Sequence, residues 1–559
     1  MKGIRQALAG LSEISALTGW RRFAVAAGFG GLSALAFAPL RFWPLLAIGL
    51  SGLALLLEGS LSQAKPKWSA FVTGLAFGTL YFALSMFWLA NAFLVQADAF
   101  GWMIPIVLPL FFAFLGLFFA GASVVHVWIR QRVPLDGPAA LLPLVIGLAG
   151  FEWLRGHILT GLPWNLFAQS VAGSTLLLQP LAAIGPYGYG LVLLILYLSP
   201  AAAMLHPAQA RRVGLGAGAL ASVIVGFGAI RLALLPPTLR DDVRTVIVQP
   251  NVAQRDKLDA QKRVQALRRS LEMTVRAASE APSGVTQYAV WPENAYPLLS
   301  RIPDFSPILS EQMPPESYLV SGTIRSVEEG YTNGLEVYGP AGAGAPMVAT
   351  YDKHHLVPFG ETLPFYGALK ALGLATLSPV GDGGFIPGQG PTRLELGPAP
   401  FAPLICYEDI FPGELYPRGE RPEWLTVVTN DAWFGDNAGP MQHLDIARMR
   451  AVETGLPVAR SANTGISALI DAEGRILHSL PLYEPGVITA KLPVARPPTL
   501  YSRSGDLIFF ATLSFITLMV VRGTLQGRIA KGNLGEPQGS KTRGKEIRSA
   551  GEQARTTPD

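Results

Sequence analysis

The stretch "FAPLICYED", residues 401–409, contains the only cysteine among 559 residues. An apolar run from Phe401 to Ile405 leads directly into Cys406, and charged residues follow it. A short apolar run of this kind predicts a buried strand, so the thiol is expected where that strand ends. Reacting groups of open α/β sheets gather beyond the carboxyl ends of strands. If this strand belongs to an α/β sheet, the thiol lies at the edge of the sheet where reacting groups gather.

The sequence around this stretch, from about residue 241 to 495, contains further short apolar runs of the same kind. Short apolar runs are separated by Gly, Pro and Asn and predict strands at 243–251, 287–294, 317–324, 333–340, 401–409 and 424–431, with a hairpin at 465–477. Helical spacing appears at 253–279 and 439–455. Strands that alternate with helices predict one α/β domain of about 250 residues.

Polar groups capable of chemistry follow other predicted strands of this domain. Glu293 ends "AVWPEN", and Lys353 and Glu361 lie in "VATYDKHHLVPFGE". A free thiol, with a pKa of about 8.5, is only a few per cent thiolate at neutral pH, so a nucleophilic Cys406 needs activation. Glu293 could accept its proton, and Lys353 could stabilise a thiolate or an oxyanion. The alternative is that Cys406 is a small buried apolar residue, as free cysteines often are.

Histidine offers no comparable base in this sequence. His354 and His355 adjoin Lys353, but two adjacent histidines do not make a metal cage, and the other histidines are scattered. The sequence therefore predicts chemistry without a metal or a cofactor.

The rest of the chain is unusually apolar. Half of all residues are hydrophobic, 15% are charged, and the mean hydropathy is +0.35. Crossing a bilayer takes roughly 20 apolar residues, and stretches near that length predict about eight transmembrane helices. They lie near 22–40, 43–58, 69–93, 102–128, 138–154, 176–203, 213–235 and 505–522.

Basic residues orient these predicted spans. Pairs of Lys or Arg occupy alternate connections, at residues 21–22, 65–67, 130–132 and 211–212. The positive-inside rule then predicts a cytoplasmic N-terminus, 1–21, and seven spans within 22–235. It places a catalytic domain, 241–495, on the far side of the membrane, before the last span, 505–522. A basic, disordered, cytoplasmic tail is predicted at 523–559. Because the basic residues lie at membrane edges, the sequence does not indicate nucleic-acid binding.

Three motifs of the predicted domain are similar to those of a known superfamily. "WPEN" (291–294), "YDKHHLVPFGE" (351–361) and "ICYED" (405–409) resemble the Glu-Lys-Cys motifs of the nitrilase, or carbon–nitrogen hydrolase, superfamily. The preceding spans, "TGLPWNLFAQS" (160–170), "VVTNDAWFG" (427–435) and "RSANTGIS" (460–467) narrow the resemblance to the bacterial apolipoprotein N-acyltransferase family. The resemblance covers about residues 20–520 and implies an αββα sandwich joined to a membrane bundle.

The resemblance also implies roles for individual residues. Glu293 matches the family's general base, Lys353 the lysine that stabilises the oxyanion, and Cys406 the nucleophile. Supporting roles fall on Glu361, which holds the lysine, and on the pair after the nucleophile, Tyr407 and Glu408. Trp433 and Trp164 match residues expected to contact substrate. One departure is visible, because "QRDKL" (254–258) ends in Leu258 where such enzymes often have Trp.

The reaction that the resemblance implies is a two-step acyl transfer between membrane lipids. A glycerophospholipid, in the family phosphatidylethanolamine, donates an acyl chain to the cysteine, and the N-terminal amine of a diacylglyceryl apolipoprotein accepts it. The implied location is the bacterial inner membrane, with the catalytic domain in the periplasm.

Two rival functions use the same features of the sequence differently. A membrane-anchored amidase of the nitrilase type would use the same three residues with water as the acceptor. A transporter or receptor with a sensory domain is the second rival. Transport pathways use ionisable residues inside the membrane, and the predicted spans contain few besides Glu152 and Arg155, which disfavours that rival.

Overall fold

Two structural units follow one another along the chain: a helical bundle and then a pair of β-sheets with helices packed on them. The computed structural model describes residues 13–280, 282–363, 366, 371 and 384–532. Much of the predicted N-terminal segment and the predicted disordered tail beyond residue 532 lie outside these ranges.

The predicted spans coincide with helices in the described residues. The bundle consists mainly of α1 Gly19–Ala34, α2 Pro44–Ser60, α3 Pro66–Ser85, α4 Ile104–Arg130, α5 Leu142–His157, α6 Leu181–Leu205 and α7 Ala210–Leu234. Proline opens both α2 and α3, where its missing N–H costs no hydrogen bond. The predicted third span is too long, because α3 ends at Ser85 and a separate short helix, Ala90–Leu94, follows.

The number of membrane crossings stays a prediction. Within the described residues, five helical stretches are long and apolar enough to cross a membrane: Pro66–Ser85, Ala97–Arg130, Gly137–His157, Leu181–Leu205 and Pro207–Leu234. Pro44–Ser60 and Leu507–Arg522 are apolar but shorter. Several apolar membrane helices are therefore confirmed, whereas the count of eight is not.

Two mixed sheets form the second unit. The first contains β1 Leu239–Gln249, β2 Thr286–Trp291, β3 Ser317–Val327, β4 Gly330–Tyr338 and β5 Met347–Asp352. The second contains β6 Phe401–Ile405, β7 Trp424–Thr429, β8 Val458–Ala462, β9 Ala468–Ile470 and β10 Ile476–Ser479. A last strand, β11 Gly486–Pro493, joins the first sheet, so the strand orders are β11-β1-β2-β3-β4-β5 and β10-β9-β8-β7-β6. Strands β1–β3 are parallel, as are β6–β8.

The sheets pack face to face, and helices cover their outer faces. Tyr288 and Val290 of the first sheet share an apolar core with Phe401 and Trp424 of the second. Helices α8 Ala260–Ala278 and α9 Phe305–Gln312 cover the first sheet, and α10 Ala438–Thr454 covers the second. The predicted αββα sandwich is confirmed, and helix α11 Leu507–Gly532 follows it.

Two strands were not predicted, and five predicted strands end two or more residues early, most of all β2 and β6. The sequence pattern predicts neither β8, whose Arg460 and Ser461 are polar although fully buried, nor β11. Strand β2 ends at Trp291 because Pro292 has no N–H for the ladder. Strand β6 ends at Ile405, and a short 3₁₀ turn, Cys406–Ile410, replaces the predicted final residues.

Helix α10 lies between the second sheet and the bundle. It begins after Asn437, whose side chain accepts a hydrogen bond from the Gly439 amide, and it ends at Gly455, whose φ of +69° suits glycine. Leu444, Ala447 and Ala451 face the sheet, and the opposite face, Ile446, Met449 and Val452, belongs to the apolar core of the bundle. The helix therefore joins the two units.

Candidate active site

Cys406 lies on a strained turn at the end of β6. Its φ of +50° is in the left-handed region, which a residue with a side chain adopts only when its surroundings impose it. Glu408 stabilises the turn, because its Oε2 accepts a hydrogen bond of 2.7 Å from the Ile405 amide. The thiol is buried, with 9% of the residue exposed. The turn thus holds one buried thiol at the strand end that the sequence predicted.

The other oxygen of Glu408 ties this turn to the segment that carries Lys353. Oε1 accepts hydrogen bonds of 2.8 Å from the Tyr351 hydroxyl and from the His354 amide. Burial raises the pKa of Glu408, but the hydrogen bond and charge of His354 outweigh burial and hold the pKa below its usual value. A carboxylate so fully engaged is suited to bracing the turn rather than to accepting a proton from substrate.

Lys353 lies just after β5 and is almost completely buried. Its Nζ is 2.8 Å from Glu361 Oε2 and 3.7 Å from Glu293 Oε1. Burial lowers the pKa of Lys353, but Glu361 and Glu293 more than offset burial, so the pKa is raised above its ordinary value. The ammonium group therefore keeps its charge, held between two carboxylates.

Glu293 follows β2 and has both carboxylate oxygens hydrogen bonded. Oε1 accepts a hydrogen bond from the side-chain Nδ2 of Asn333 at 2.7 Å, and Oε2 accepts one from the backbone N–H of Asn430 at 2.9 Å. Asn430 follows β7, so the sheet partner of the cysteine strand positions the glutamate. The structure thus brings the predicted Glu293, Lys353, Glu361 and Cys406 to one rim.

Asn333 is a site residue that the sequence analysis missed. Its Nδ2 lies 2.7 Å from Glu293 Oε1 and 2.6 Å from Glu361 Oε1, so one amide joins the two carboxylates that flank Lys353. Asparagine is uncommon inside strands, and Asn333 is buried within β4. An asparagine inside the predicted strand 333–340 was the available signal.

Lys257 is a second residue that was missed. Its Nζ donates to the backbone oxygens of Glu293, at 3.3 Å, and Asn294, at 3.0 Å. Burial lowers the pKa of Lys257 to about 8, although Glu293 opposes this. Lys257 thus anchors the loop after β1 against the general-base candidate. The side chain of its neighbour Leu258, the departure seen in the sequence, lies outside the described part.

Burial and the neighbouring carboxylates favour the protonated form of the Cys406 thiol. Burial raises the pKa of the Cys406 thiol well above its usual value, Glu293 raises it further, and Lys353 opposes both. Attack on a carbonyl therefore requires removal of the proton during the reaction. Glu293 and Asp431 are carboxylates that act on the thiol; Asp431 is paired with Arg460 and His443, so Glu293 is the better candidate to accept the proton, and Lys353 could stabilise the negative charge that follows.

Tyr407 connects the cysteine turn to the membrane bundle. Its hydroxyl donates to the Gly161 oxygen at 2.9 Å, in the connection after α5. Its ring packs edge-on against Phe411, which also stacks on His355 at a centroid distance of 3.6 Å. Tyr407, the residue after Cys406, thus fixes the cysteine turn to this connection of the bundle.

The two tryptophans predicted as substrate contacts occupy different surroundings. Trp433 follows β7 and is 38% exposed, so its ring is available to a ligand. Trp164 is 2% exposed, donates to Gln442 Oε1 at 2.8 Å and packs against Trp88 at a centroid distance of 5.0 Å. Contact between Trp164 and substrate stays a prediction, and the observed contacts of Trp164 are with protein.

One group among the described residues has the spacing of metal ligands. Ligand atoms of His354, His355 and Glu414 lie within 4.8 Å of one another. Both histidines already contact protein, since His354 Nδ1 lies 2.7 Å from Glu408 Oε1 and His355 Nε2 lies 2.8 Å from the Thr160 oxygen. We therefore interpret this group as part of the brace around the cysteine turn.

Comparison with known proteins identifies the family. The family model described as the apolipoprotein N-acyltransferase N-terminal domain matches residues 29–231, and the carbon–nitrogen hydrolase model matches residues 247–497. Apolipoprotein N-acyltransferase of Rhodopseudomonas palustris is 37% identical over 517 residues, covering 90% of this chain and 95% of that protein. The chain belongs to the apolipoprotein N-acyltransferase family. A second family member, from Bradyrhizobium diazoefficiens, is 38% identical over 523 residues and covers 90% and 95% of the two chains.

The two family models divide this apolipoprotein N-acyltransferase family member where its fold changes. The first match ends within α7 and the second begins within β1. Among solved structures, a nitrilase-superfamily amidase from Nesterenkonia has a TM-score of 0.33 and 18% identity, covering 50% of this chain and 96% of that one. The apolar helices of this chain and its bacterial relatives identify it as a bacterial membrane protein.

Proposed function

We propose that this chain moves a fatty acyl group from a membrane glycerophospholipid, through a thioester on Cys406, to the N-terminal amine of a diacylglyceryl apolipoprotein. The observation that carries the proposal is the buried cluster of Cys406, Glu293 and Lys353, assembled at strand ends beside an apolar bundle. Family membership supports lipid and lipoprotein substrates. Phosphatidylethanolamine is the donor we propose.

The first half-reaction forms the thioester. Glu293 takes the Cys406 proton as Sγ attacks the donor's ester carbonyl, and Lys353 stabilises the oxyanion that develops. When the tetrahedral intermediate collapses, the carbon–oxygen bond to the glycerol breaks. The leaving alkoxide takes the proton from Glu293 and departs as lysophospholipid, and the acyl group remains on sulfur.

The second half-reaction discharges the thioester to an amine. The neutral N-terminal amine of the acceptor attacks the thioester carbonyl, and Glu293 takes a proton from the nitrogen. Lys353 again stabilises the oxyanion. Collapse breaks the carbon–sulfur bond, releases an amide, and leaves a thiolate that regains its proton from Glu293. The amide is more stable than the thioester, so this step is downhill.

The apolar bundle gives this chemistry its location. Both proposed substrates carry acyl chains, and a catalytic turn fixed to the bundle by Tyr407 lets those chains stay in hydrocarbon. A site beside hydrocarbon also limits the access of water, which would otherwise hydrolyse the thioester. Hydrolysis is the reaction of the rival function, an amidase for which water is the second acceptor.

The two half-reactions can be measured separately in purified full-length protein. With phosphatidylethanolamine vesicles alone, we expect a burst of about one equivalent of lysophospholipid per protein and an acyl adduct on Cys406, seen by intact mass. Adding a diacylglyceryl-cysteine peptide should remove the adduct and yield N-acylated peptide. Cys406→Ala is the control and should show neither burst nor adduct. If water removed the adduct as fast without peptide, the protein would be a hydrolase.

We also propose that the sandwich faces the periplasm and the tail the cytoplasm, as the paired basic residues predict. In a Cys406→Ala background, Ser283→Cys should react with an impermeant maleimide in intact cells, because Ser283 is exposed on the sandwich. Ser540→Cys in the tail should react only after the cells are permeabilised. The reverse pattern, or labelling of both sites in intact cells, would refute this orientation.

A further inference from the structure

Two adjacent residues of α10 make polar contacts on opposite sides of the boundary between bundle and sandwich. Gln442 bonds to the bundle, and His443 bonds to Asp409 of the cysteine turn and to Asp431 after β7. Both side chains are about 1% exposed. Neither residue was singled out by the sequence, and neither takes part in the reaction steps above.

The amide of Gln442 uses its full hydrogen-bonding capacity, two acceptor positions and two donors. Its Oε1 accepts from the indole N–H of Trp88 at 3.2 Å and of Trp164 at 2.8 Å. Its Nε2 donates to the backbone oxygens of Ala38, at 3.1 Å, and Ser85, at 3.0 Å. One side chain thus collects separate segments of the bundle, and any shift among them leaves a buried polar group unpaired.

His443 makes the corresponding contacts on the catalytic side. Nε2 lies 2.8 Å from Asp409 Oδ1, and Nδ1 lies 3.0 Å from Asp431 Oδ1. Arg460 completes the cluster, with Nη2 2.8 Å from Asp431 Oδ2 and Nη1 3.5 Å from Asp409 Oδ2. All four side chains are buried, so two cations and two carboxylates neutralise one another if the imidazole is protonated.

The carboxylates around the ring favour its protonated form. A ring nitrogen facing a carboxylate must carry a proton to donate, and both nitrogens of His443 face carboxylates, while Nδ1 also lies 3.1 Å from a donor, Arg460 Nη2. Burial and Arg460 lower the pKa of His443, but Asp409 and Asp431 outweigh them, so the pKa is raised. The pKa of Asp431 falls to about 2, because Arg460 and His443 outweigh its burial.

This cluster bears directly on the reacting groups. Asp409 belongs to the same short turn as Cys406, whose positive φ depends on how that turn is held. Asp431 follows Asn430, whose amide donates to Glu293. A displacement of His443 would therefore move the nucleophile and the hydrogen-bond donor of its base together.

We propose that Gln442 and His443 are positioning residues that couple the packing of the membrane bundle to the geometry of the cysteine turn. The pair is continuous along α10, from indole and backbone groups of the bundle to the two aspartates behind the site. Buried polar networks in which nearly every group is paired have few alternative arrangements, so a change at one end is passed to the other. In this cluster Asp409 Oδ2 and Arg460 Nη1 form an ion pair at 3.5 Å without a hydrogen bond. Lipid that enters the bundle side and disturbs Gln442 would thereby alter Cys406. The role in acyl transfer rests on the proposed function, whereas the coupling to the thiol does not.

The unique thiol allows a test that does not depend on acyl transfer. Because the chain has one cysteine, iodoacetamide labels Cys406 alone, and intact mass gives the labelling rate for full-length protein in phosphatidylethanolamine nanodiscs. The side chain of Gln442 bonds only to groups of the bundle among the described residues, not to the cysteine turn. We nevertheless expect Gln442→Met to change the labelling rate of Cys406 about tenfold, within the usual range of coupling between sites. His443→Gln should change it as much, and both should slow the lysophospholipid burst about tenfold.

Asp445→Asn is the matched control. Asp445 lies on the same helix and forms two 3.0 Å hydrogen bonds with Arg41 of the bundle, but it does not contact Asp409 or Asp431 in the described structure. In Asp445→Asn we expect the labelling rate of Cys406 and the rate of the lysophospholipid burst to stay within about twofold of wild type. Trp88→Phe removes a single donor to Gln442 and serves as the milder variant if Gln442→Met or His443→Gln unfolds, judged by thermal melting.

The outcomes separate the possibilities. If the labelling rate of Cys406 changes in Gln442→Met and His443→Gln but not in Asp445→Asn, the coupling is supported. This holds even if wild type forms no thioester and the proposed function fails. Unchanged labelling in folded Gln442→Met and His443→Gln overturns it. An equal change of the labelling rate in Asp445→Asn also overturns it, because any weakened contact between the bundle and the sandwich would then explain the result.

Discussion

Cys406→Ser is expected to abolish acyl transfer while the protein still folds and inserts into the membrane. Serine is nearly isosteric, so the strained turn and its Glu408 brace should persist. A hydroxyl is a much poorer nucleophile than a thiol, and Glu293 and Lys353 are arranged around sulfur. Loss of the nucleophile in comparable enzymes costs on the order of 10⁴-fold or more.

Release of lysophospholipid and formation of N-acyl peptide measure this effect, and the thermal melting temperature reports folding. Cys406→Ala is the companion variant, since it removes any nucleophile from the turn. Full activity of Cys406→Ser, in protein whose mass confirms the substitution, would rule out Cys406 as the nucleophile.

Glu293→Gln is expected to slow both half-reactions by roughly 10²–10⁴-fold. The amide preserves the length of the side chain but cannot accept the thiol proton, which burial keeps on sulfur. It also faces the Asn333 and Asn430 donors with one acceptor oxygen in place of two. Single-turnover release of lysophospholipid measures the first step, and loss of a preformed adduct after peptide addition measures the second.

Glu336→Gln is the matched control for this substitution. Glu336 is as buried as Glu293, but its carboxylate accepts from the Tyr338 hydroxyl at 2.7 Å, outside the site. Its activity should stay within about threefold of wild type, because its contacts do not include the reacting groups. Equal losses in both variants would mean that Glu293 contributes to stability and not to proton transfer.

The fold was largely predictable where local patterns report it. Apolar runs near the length of a bilayer crossing identified the helices, and short apolar runs ending in polar residues identified the strands that carry Glu293 and Cys406. Pattern failed for β8, since Arg460 and Ser461 read as surface residues. Their burial is tolerated because Asp431, in the turn after β7, and the Val248 oxygen of β1 pair with them, and both partners lie far away in the chain or in another strand.

The sequence by itself determined the residue types, the apolar periodicity and the presence of a single thiol. Those are local properties, and they were enough to indicate a membrane bundle joined to an α/β domain, whereas the αββα sandwich was implied by the resemblance of the motifs to the nitrilase superfamily. Only the tertiary structure decided that Asn333 links Glu293 to Glu361, that Cys406 has a positive φ, and that α10 is buried on both sides. Each of these depends on distances between segments far apart in the chain. Burial and pairing of polar groups follow from those distances, and no local pattern encodes them.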